Sequence, residues 1–150
     1  MKDSLPARKI IRLNDFYYTK KGMYFITICT KNRIEILGQI KDKDIKLTKE
    51  GKITRKLTQE IEKIFDNITI NEYIIMPNHV HMIIEIKEEK ENVSIVKIIK
   101  KYKSNISQRL GYSIWQKSYY DHIIRDEKEY YIIKKYIQDN IINWKKDRYF

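Results

Sequence analysis

Apolar positions in the first half of the chain predict a strand, a helix and two further strands. Residues 23–30 are rich in aromatic and β-branched side chains, which is typical of a strand. In 48–65 the apolar residues recur at helical spacing. The runs Ile68–Met76 and His79–Ile86 then read as strands, and Pro77-Asn78 between them indicates a hairpin or near-hairpin.

The second half predicts a helix over 94–110, a strand around 115–125 and a last helix over 127–146. The candidate helix caps are Thr48, Gly111 and Asp126. The order is therefore β-α-β-β-α-β-α, whose first six elements match the split βαβ pattern of a ferredoxin-like domain. We expect one α+β domain over 1–150, with a central antiparallel sheet and an added C-terminal helix.

The charge balance narrows the choice of partner. The chain has 31 Lys and Arg against 20 Asp and Glu, a formal net charge of +11, which favours a polyanion such as nucleic acid. An AT-biased genome would also produce a chain this rich in Ile, Lys, Asn and Tyr. A basic and aromatic arm over 1–22 adds candidate DNA contacts. Cys29 stands alone, and no stretch approaches a membrane span, so we expect a cytoplasmic protein without disulfides.

The tripeptide His79-Val80-His81 is the first candidate for chemistry. Residues two apart in a strand point to the same face, so both imidazoles project from one side as a pair of metal ligands would. The pattern alone is weak, because packed or surface histidines also produce it. Two imidazoles plus one oxygen ligand, with positions left open, suit Mg²⁺ or Mn²⁺ better than structural zinc.

A tyrosine one helical turn from an oxygen ligand would bring a nucleophile to such an ion. Of the 12 tyrosines, two have an amide or carboxylate four residues later: Tyr112 with Gln116, and Tyr136 with Asn140. The second pair lies in the more regular helix. The alternative is that Tyr136 is one more core aromatic residue.

Several separated segments resemble one family. The run 72–84, which contains His79-Val80-His81, closely resembles the HUH motif region of the single-tyrosine transposases, in which U is a hydrophobic residue. The run 115–127 looks like a second motif of that group, and Tyr136-Ile-Gln-Asp-Asn140 looks like its tyrosine-helix motif. Residues 12–33 and 97–104 are similar to the branch called REP-associated tyrosine transposases, of the IS200-like superfamily. The resemblance covers about residues 7–149.

This resemblance implies an RRM-like or ferredoxin-like fold, a divalent metal (Mg²⁺ or Mn²⁺), and nicking and joining of single-stranded DNA near hairpins. It assigns His79, His81 and Asn140 as metal ligands and Tyr136 as the nucleophile that forms a 5′-phosphotyrosine intermediate. Relatives include dimers, so a homodimer is one expectation. One departure stands out: the family usually has Pro directly after the Asn, where this chain has Ile141, so we expect the helix to continue through Ile141.

Further candidates complete the predicted site. His122 is a candidate accessory ligand or phosphate contact, although packing is the commoner role of a lone histidine. Candidate DNA contacts are Arg12, Lys31, Arg33, Lys103 and Arg125. Two rival hypotheses remain: a non-catalytic nucleic-acid-binding module on the same fold, and a metal-dependent hydrolase that uses the histidine pair without Tyr136.

Overall fold

The computed structural model describes residues 19–146, so most of the arm predicted over 1–22, including Arg12, lies outside the described residues. Four antiparallel strands form the main sheet, in the order β4-β5-β1-β6. Their bounds are β1 Gly22–Cys29, β4 Ile68–Met76, β5 His79–Ile86 and β6 Tyr120–Ile124. This strand order is that of the split βαβ unit, so the fold predicted from the sequence is confirmed.

Helices α1 (Lys49–Ile64) and α2 (Ile95–Leu110) cover one face of this sheet. The even-numbered residues of β5 enter the large core on that face, as the alternation along the strand predicts. Thr48 caps α1 through a hydrogen bond from the Gly51 amide, and Gly111 closes α2 in the left-handed conformation. A side chain at Gly51 would collide with the Leu37 carbonyl, which explains a glycine inside a helix.

A two-stranded hairpin, β2 (Gly38–Lys41) and β3 (Asp44–Leu47), was not predicted from the sequence. Its turn residues Asp42 and Lys43 have φ values of 55° and 63°, in the left-handed region that favours glycine. The turn thus lacks the glycine-containing sequence by which such hairpins are usually found.

Helix α3 (Glu127–Gln138) packs on the opposite face of the sheet, with Ile133 and Ile137 buried against it. Asp126 caps its first turn, as predicted. The prediction of one helix over 127–146, continuous through Ile141, is wrong, because α3 ends at Gln138. The Asn140 amide donates to the Ile137 carbonyl, three residues back, so the chain tightens into turns before a short 3₁₀ helix over Trp144–Lys146.

The strand predicted around 115–125 is shorter than expected, since only Tyr120–Ile124 forms β6 and Trp115 makes a single bridge to Thr30. Cys29 is buried in the core, as predicted. Within residues 19–146, no helix combines the length and the apolar character that crossing a membrane requires.

Candidate active site

The two histidines of β5 point to the α3 face of the sheet, as the alternation predicts, and both are fully buried. Their Nε2 atoms lie 3.1 Å apart. Two ligand atoms at adjacent corners of an octahedron, each about 2.1 Å from a cation, are separated by about 3 Å. The imidazoles of His79 and His81 therefore converge at a spacing that one divalent ion could bridge.

Hydrogen bonds on the other ring nitrogens orient the pair. His79 Nδ1 lies 2.7 Å from Asn78 Oδ1, and His81 Nδ1 lies 2.8 Å from Thr27 Oγ1. Partners of this kind determine the ring orientation and the tautomer of metal-binding histidines. Sequence reasoning missed both residues. The position of Asn78 directly before His79 could have indicated a hydrogen-bond partner for that histidine. Thr27, in contrast, faces His81 only through the register of β1 and β5.

Tyr136 reaches the histidine pair from α3. Its half-buried ring packs edge-on against His81, with the ring centroids 5.1 Å apart, and against Phe25 at 6.2 Å. Beyond the end of α3, the indole of Trp144 stacks on His79 at 6.1 Å. The segment from Tyr136 to Trp144 therefore passes directly over both imidazoles.

Asn140 lies in the middle of this segment and is 1% exposed. Its side-chain oxygen and nitrogen have no hydrogen-bond partner among the described residues. Burying an amide in this way is unfavourable unless another group completes its interactions. No cluster of three or more His, Cys, Asp and Glu residues able to hold a metal occurs in 19–146. The two imidazoles and the Asn140 amide oxygen are therefore the candidate donors for a cation at this site.

The predicted cationic residues fall into two groups. Lys31 and Arg33 follow β1 at the end of the sheet where Cys29 pairs with His79. Arg125 follows β6 at the other end, about 20 Å away along six residues of β1. Of these three residues, the structure therefore brings Lys31 and Arg33 to the histidine end.

Lys103 is half-buried on α2, and its ammonium donates to the backbone carbonyls of Gln116 and Lys117, at 2.8 and 3.1 Å. Burial lowers the pKa of this ammonium. These contacts give Lys103 a structural part in holding the loop before β6.

His122 does not join the other two histidines. Its Nε2 lies 2.8 Å from a carboxylate oxygen of Glu129 on α3. Burial favours a raised pKa for the Glu129 carboxyl, but hydrogen bonds from the Arg125 amide, the His122 ring and the Arg125 guanidinium outweigh it and lower that pKa. His122 thus packs α3 against β6.

The geometry also bears on the binding-module hypothesis. A module of that kind stacks bases on exposed aromatic side chains of the central strands. In the central strands β1 and β5, Phe25 on the α3 face is 7% exposed and Tyr24 on the other face is 1% exposed. Both faces of the sheet are covered, so no such stacking surface exists on these two strands.

The protein combines a split βαβ sheet with a buried histidine pair beneath a tyrosine-bearing helix. This combination is the basis for assigning it to a family. The family model described as "Transposase IS200 like" matches residues 18–140, and the chain belongs to this family. The expected family is thereby confirmed.

The chain is also similar to individual proteins. An uncharacterized protein of Haemophilus influenzae is 34% identical over 94% of this chain and 92% of its own length. A REP-associated tyrosine transposase of Escherichia coli is 26% identical over 76% of this chain, which spans 62% of that relative's length. The solved structure of a REP-associated tyrosine transposase bound to a REP hairpin shares the fold, with a TM-score of 0.66 over 95% of this chain and 74% of its own, at 23% identity.

Proposed function

We propose that this protein is a metal-dependent endonuclease and strand transferase for single-stranded DNA, with Tyr136 as the nucleophile. One observation carries the proposal: the segment that packs over two convergent imidazoles carries Tyr136, whose ring contacts His81, and Asn140, a buried amide without a hydrogen-bond partner among the described residues. In this proposal His79, His81 and Asn140 hold Mg²⁺ or Mn²⁺.

The bound cation would polarise the scissile phosphate and stabilise the negative charge that develops on its oxygens. The protein supplies the rest. Asn78 and Thr27 hold the two imidazoles so that each Nε2 is presented to the site. Packing against His81 and Phe25 restricts the Tyr136 ring, which lowers the entropic cost of placing its hydroxyl in line with the phosphate.

In the cleavage step the phenolic oxygen of Tyr136 attacks phosphorus. A bond forms between this oxygen and phosphorus while the bond from phosphorus to the 3′ oxygen breaks. The phenol loses one proton, and the departing 3′ oxygen gains one. The protein is left on the 5′ phosphate, and a 3′ hydroxyl from the same or another strand can reverse the step without an external energy source.

We further propose that the substrate is a DNA hairpin with unpaired flanks. The net charge of +11 favours binding to the DNA backbone. Lys31 and Arg33 stand at the histidine end of the sheet, where they can contact phosphates next to the cleaved bond. The solved REP-associated tyrosine transposase of the same fold was bound to a REP hairpin, which supports a hairpin as the substrate.

Formation of a covalent adduct tests the chemistry. The protein is incubated with Mn²⁺ and hairpin oligonucleotides whose single-stranded flanks are randomised and whose 3′ ends are labelled. We expect a labelled protein–DNA band that survives denaturation and disappears when the metal is chelated. DNA labelled at the 5′ end should instead give a released fragment with a free 3′ hydroxyl. Mass spectrometry of the adduct should locate the nucleotide on Tyr136.

Two tyrosine variants serve as controls for Tyr136→Phe, which should abolish the band. Tyr131→Phe removes an exposed hydroxyl from the same helix and should leave the band intact. Tyr120→Phe removes a hydroxyl on the histidine face, beside Thr27 in the sheet register, and should also leave it intact. A band that persists in Tyr136→Phe refutes the assigned nucleophile, and normal cleavage by His81→Ala refutes the metal site.

A further inference from the structure

We propose that a pocket beside the histidine pair binds one unpaired nucleotide of the DNA strand next to the scissile phosphate. This inference rests on the proposed function and adds a subsite to it. The pocket has a volume of about 420 Å³ and lies between the β2–β3 hairpin and the segment after α3. This volume falls within the range of about 300–1,000 Å³ that is typical of small-ligand sites.

The indole of Trp144 connects this pocket to the candidate active site. It lines the pocket and also stacks on His79, with the rings 6.1 Å apart and nearly parallel. A strand whose phosphate lies at the two imidazoles therefore passes the pocket with an adjoining nucleotide. A nucleotide of that strand is therefore the occupant that this inference assigns to the pocket.

The residues that line the pocket can contact both the base and the phosphates of a nucleotide. Ile40 and Ile142 can supply apolar contacts for a base, and the side chain of Ile142 is 66% exposed, so a ligand can reach it. Lys43 and Lys145 stand at the same pocket with exposed side chains and can pair with the backbone phosphates. Aromatic and apolar surfaces flanked by cations are the usual means of binding single-stranded nucleic acid.

The hairpin turn provides an independent argument. Lys43 has a φ of 63°, a conformation that lysine adopts rarely and that Gly or Asn adopts readily. Residues with strained backbone conformations concentrate at functional sites, where the position of the side chain contributes to function. Here the strained residue places a cation at the edge of the pocket.

Binding without cleavage tests the inference. The intact protein is titrated in EDTA with fluorescent oligothymidylate of about 12 nucleotides, a length in the range of known single-strand sites, and with the same strand carrying abasic positions. For Ile142→Ala we expect about tenfold weaker binding of oligothymidylate and little change with the abasic strand, because only the former presents bases to the pocket. Exposed Ile142 is not required for folding, so the variant stays interpretable.

The salt dependence of binding tests the role of Lys43. Lys43→Asn removes the charge but suits the left-handed turn, so it should fold at least as well as the wild type. The slope of log affinity against log salt should fall by about 0.7, the value for one phosphate contact to a single strand. Lys46→Asn is the matched control, because Lys46 is exposed on the same hairpin but does not line the pocket, and its slope should not change.

The outcomes separate this inference from the proposed function. Equal losses for base-bearing and abasic strands in Ile142→Ala, or equal salt slopes for Lys43→Asn and the wild type, refute the nucleotide pocket even if the covalent adduct forms. A wild-type protein that shows the base-dependent binding but never forms the adduct supports the pocket and refutes the nuclease.

Discussion

Replacing Asn140 with leucine should have opposite effects on stability without and with metal. The substitution removes an unfavourable buried amide, and it also removes a proposed metal ligand. Both polar atoms of this side chain are buried without hydrogen bonds among the described residues. An unsatisfied buried polar group costs about 1–3 kcal/mol, and overpacking by the larger leucine side chain costs at least about 1 kcal/mol. Without metal, we therefore expect Asn140→Leu to raise the free energy of unfolding by up to about 2 kcal/mol.

In a domain of this size, 1 kcal/mol shifts the melting temperature by about 2–4 °C, so the metal-free variant should melt above the wild type by up to about 8 °C. Metal should reverse this order. An ion at about 100 times its Kd stabilises a protein by about 2.7 kcal/mol, or roughly 5–11 °C. The variant lacks one ligand, so most of that increase should be lost.

The assay is thermal unfolding of both proteins in EDTA and across a Mn²⁺ titration, followed by circular dichroism. The two melting temperatures should cross as the Mn²⁺ concentration rises. Asn143→Leu is the matched control, because Asn143 is exposed in the same turn. That control should keep the wild-type response to Mn²⁺ at every concentration.

Two results would refute the reasoning. If Asn140→Leu is less stable than the wild type in EDTA, the amide makes favourable interactions in the metal-free protein. If the variant keeps the full shift with Mn²⁺, Asn140 does not bind the ion. A crossing of the two melting temperatures cannot arise from packing alone. A change in packing shifts the melting temperature in the same direction with and without Mn²⁺.

Three further predictions concern α3 and the main core. The pKa of Glu129 is lowered in the folded protein, so its contribution is present above about pH 4.3, the unfolded value, and is lost as pH falls through the folded value. Glu129→Gln should therefore be less stable at pH 7 by up to about 1 kcal/mol, and urea unfolding at lower pH should show this difference shrinking to nothing; a constant difference would contradict the linkage. Ile141→Pro should keep the melting temperature within about 2–4 °C of the wild type. The reason is that α3 ends at Gln138 and that the Ile141 amide makes no backbone–backbone hydrogen bond among the described residues. A larger fall in the melting temperature would show that this turn needs the amide. Tyr102→Phe should cost about 1 kcal/mol in denaturant unfolding, because the buried hydroxyl pairs with Thr58 at 2.7 Å, and an unchanged midpoint would mean that this bond contributes no net stability.

Local sequence patterns determined much of the fold. Alternation along β5 placed His79 and His81 on one face and the core residues on the other, because strand geometry has a period of two. Thr48 and Asp126 were identifiable as helix caps, since each acts on an amide three residues away. The strand order of the sheet followed from the order of the elements.

The end of α3 was not predictable by the same means. Apolar spacing continues to Trp144 and suggests one long helix, but Asp139 and Asn140 disfavour helix and favour turns. The turn allows Trp144 to stack on His79. Packing against the sheet therefore decided where the helix stops, and spacing along the chain carries no information about that packing.

Only the tertiary structure assembled the site itself. Thr27 is 54 residues from His81 in sequence, and its hydrogen bond depends on the register between β1 and β5. Tyr136 reaches His81 because α3 lies across the histidine face, which helix periodicity alone does not dictate. The sequence by itself determined which residues share a face of each element. The structure decided which faces meet, because contacts between distant segments depend on the packing of the whole chain.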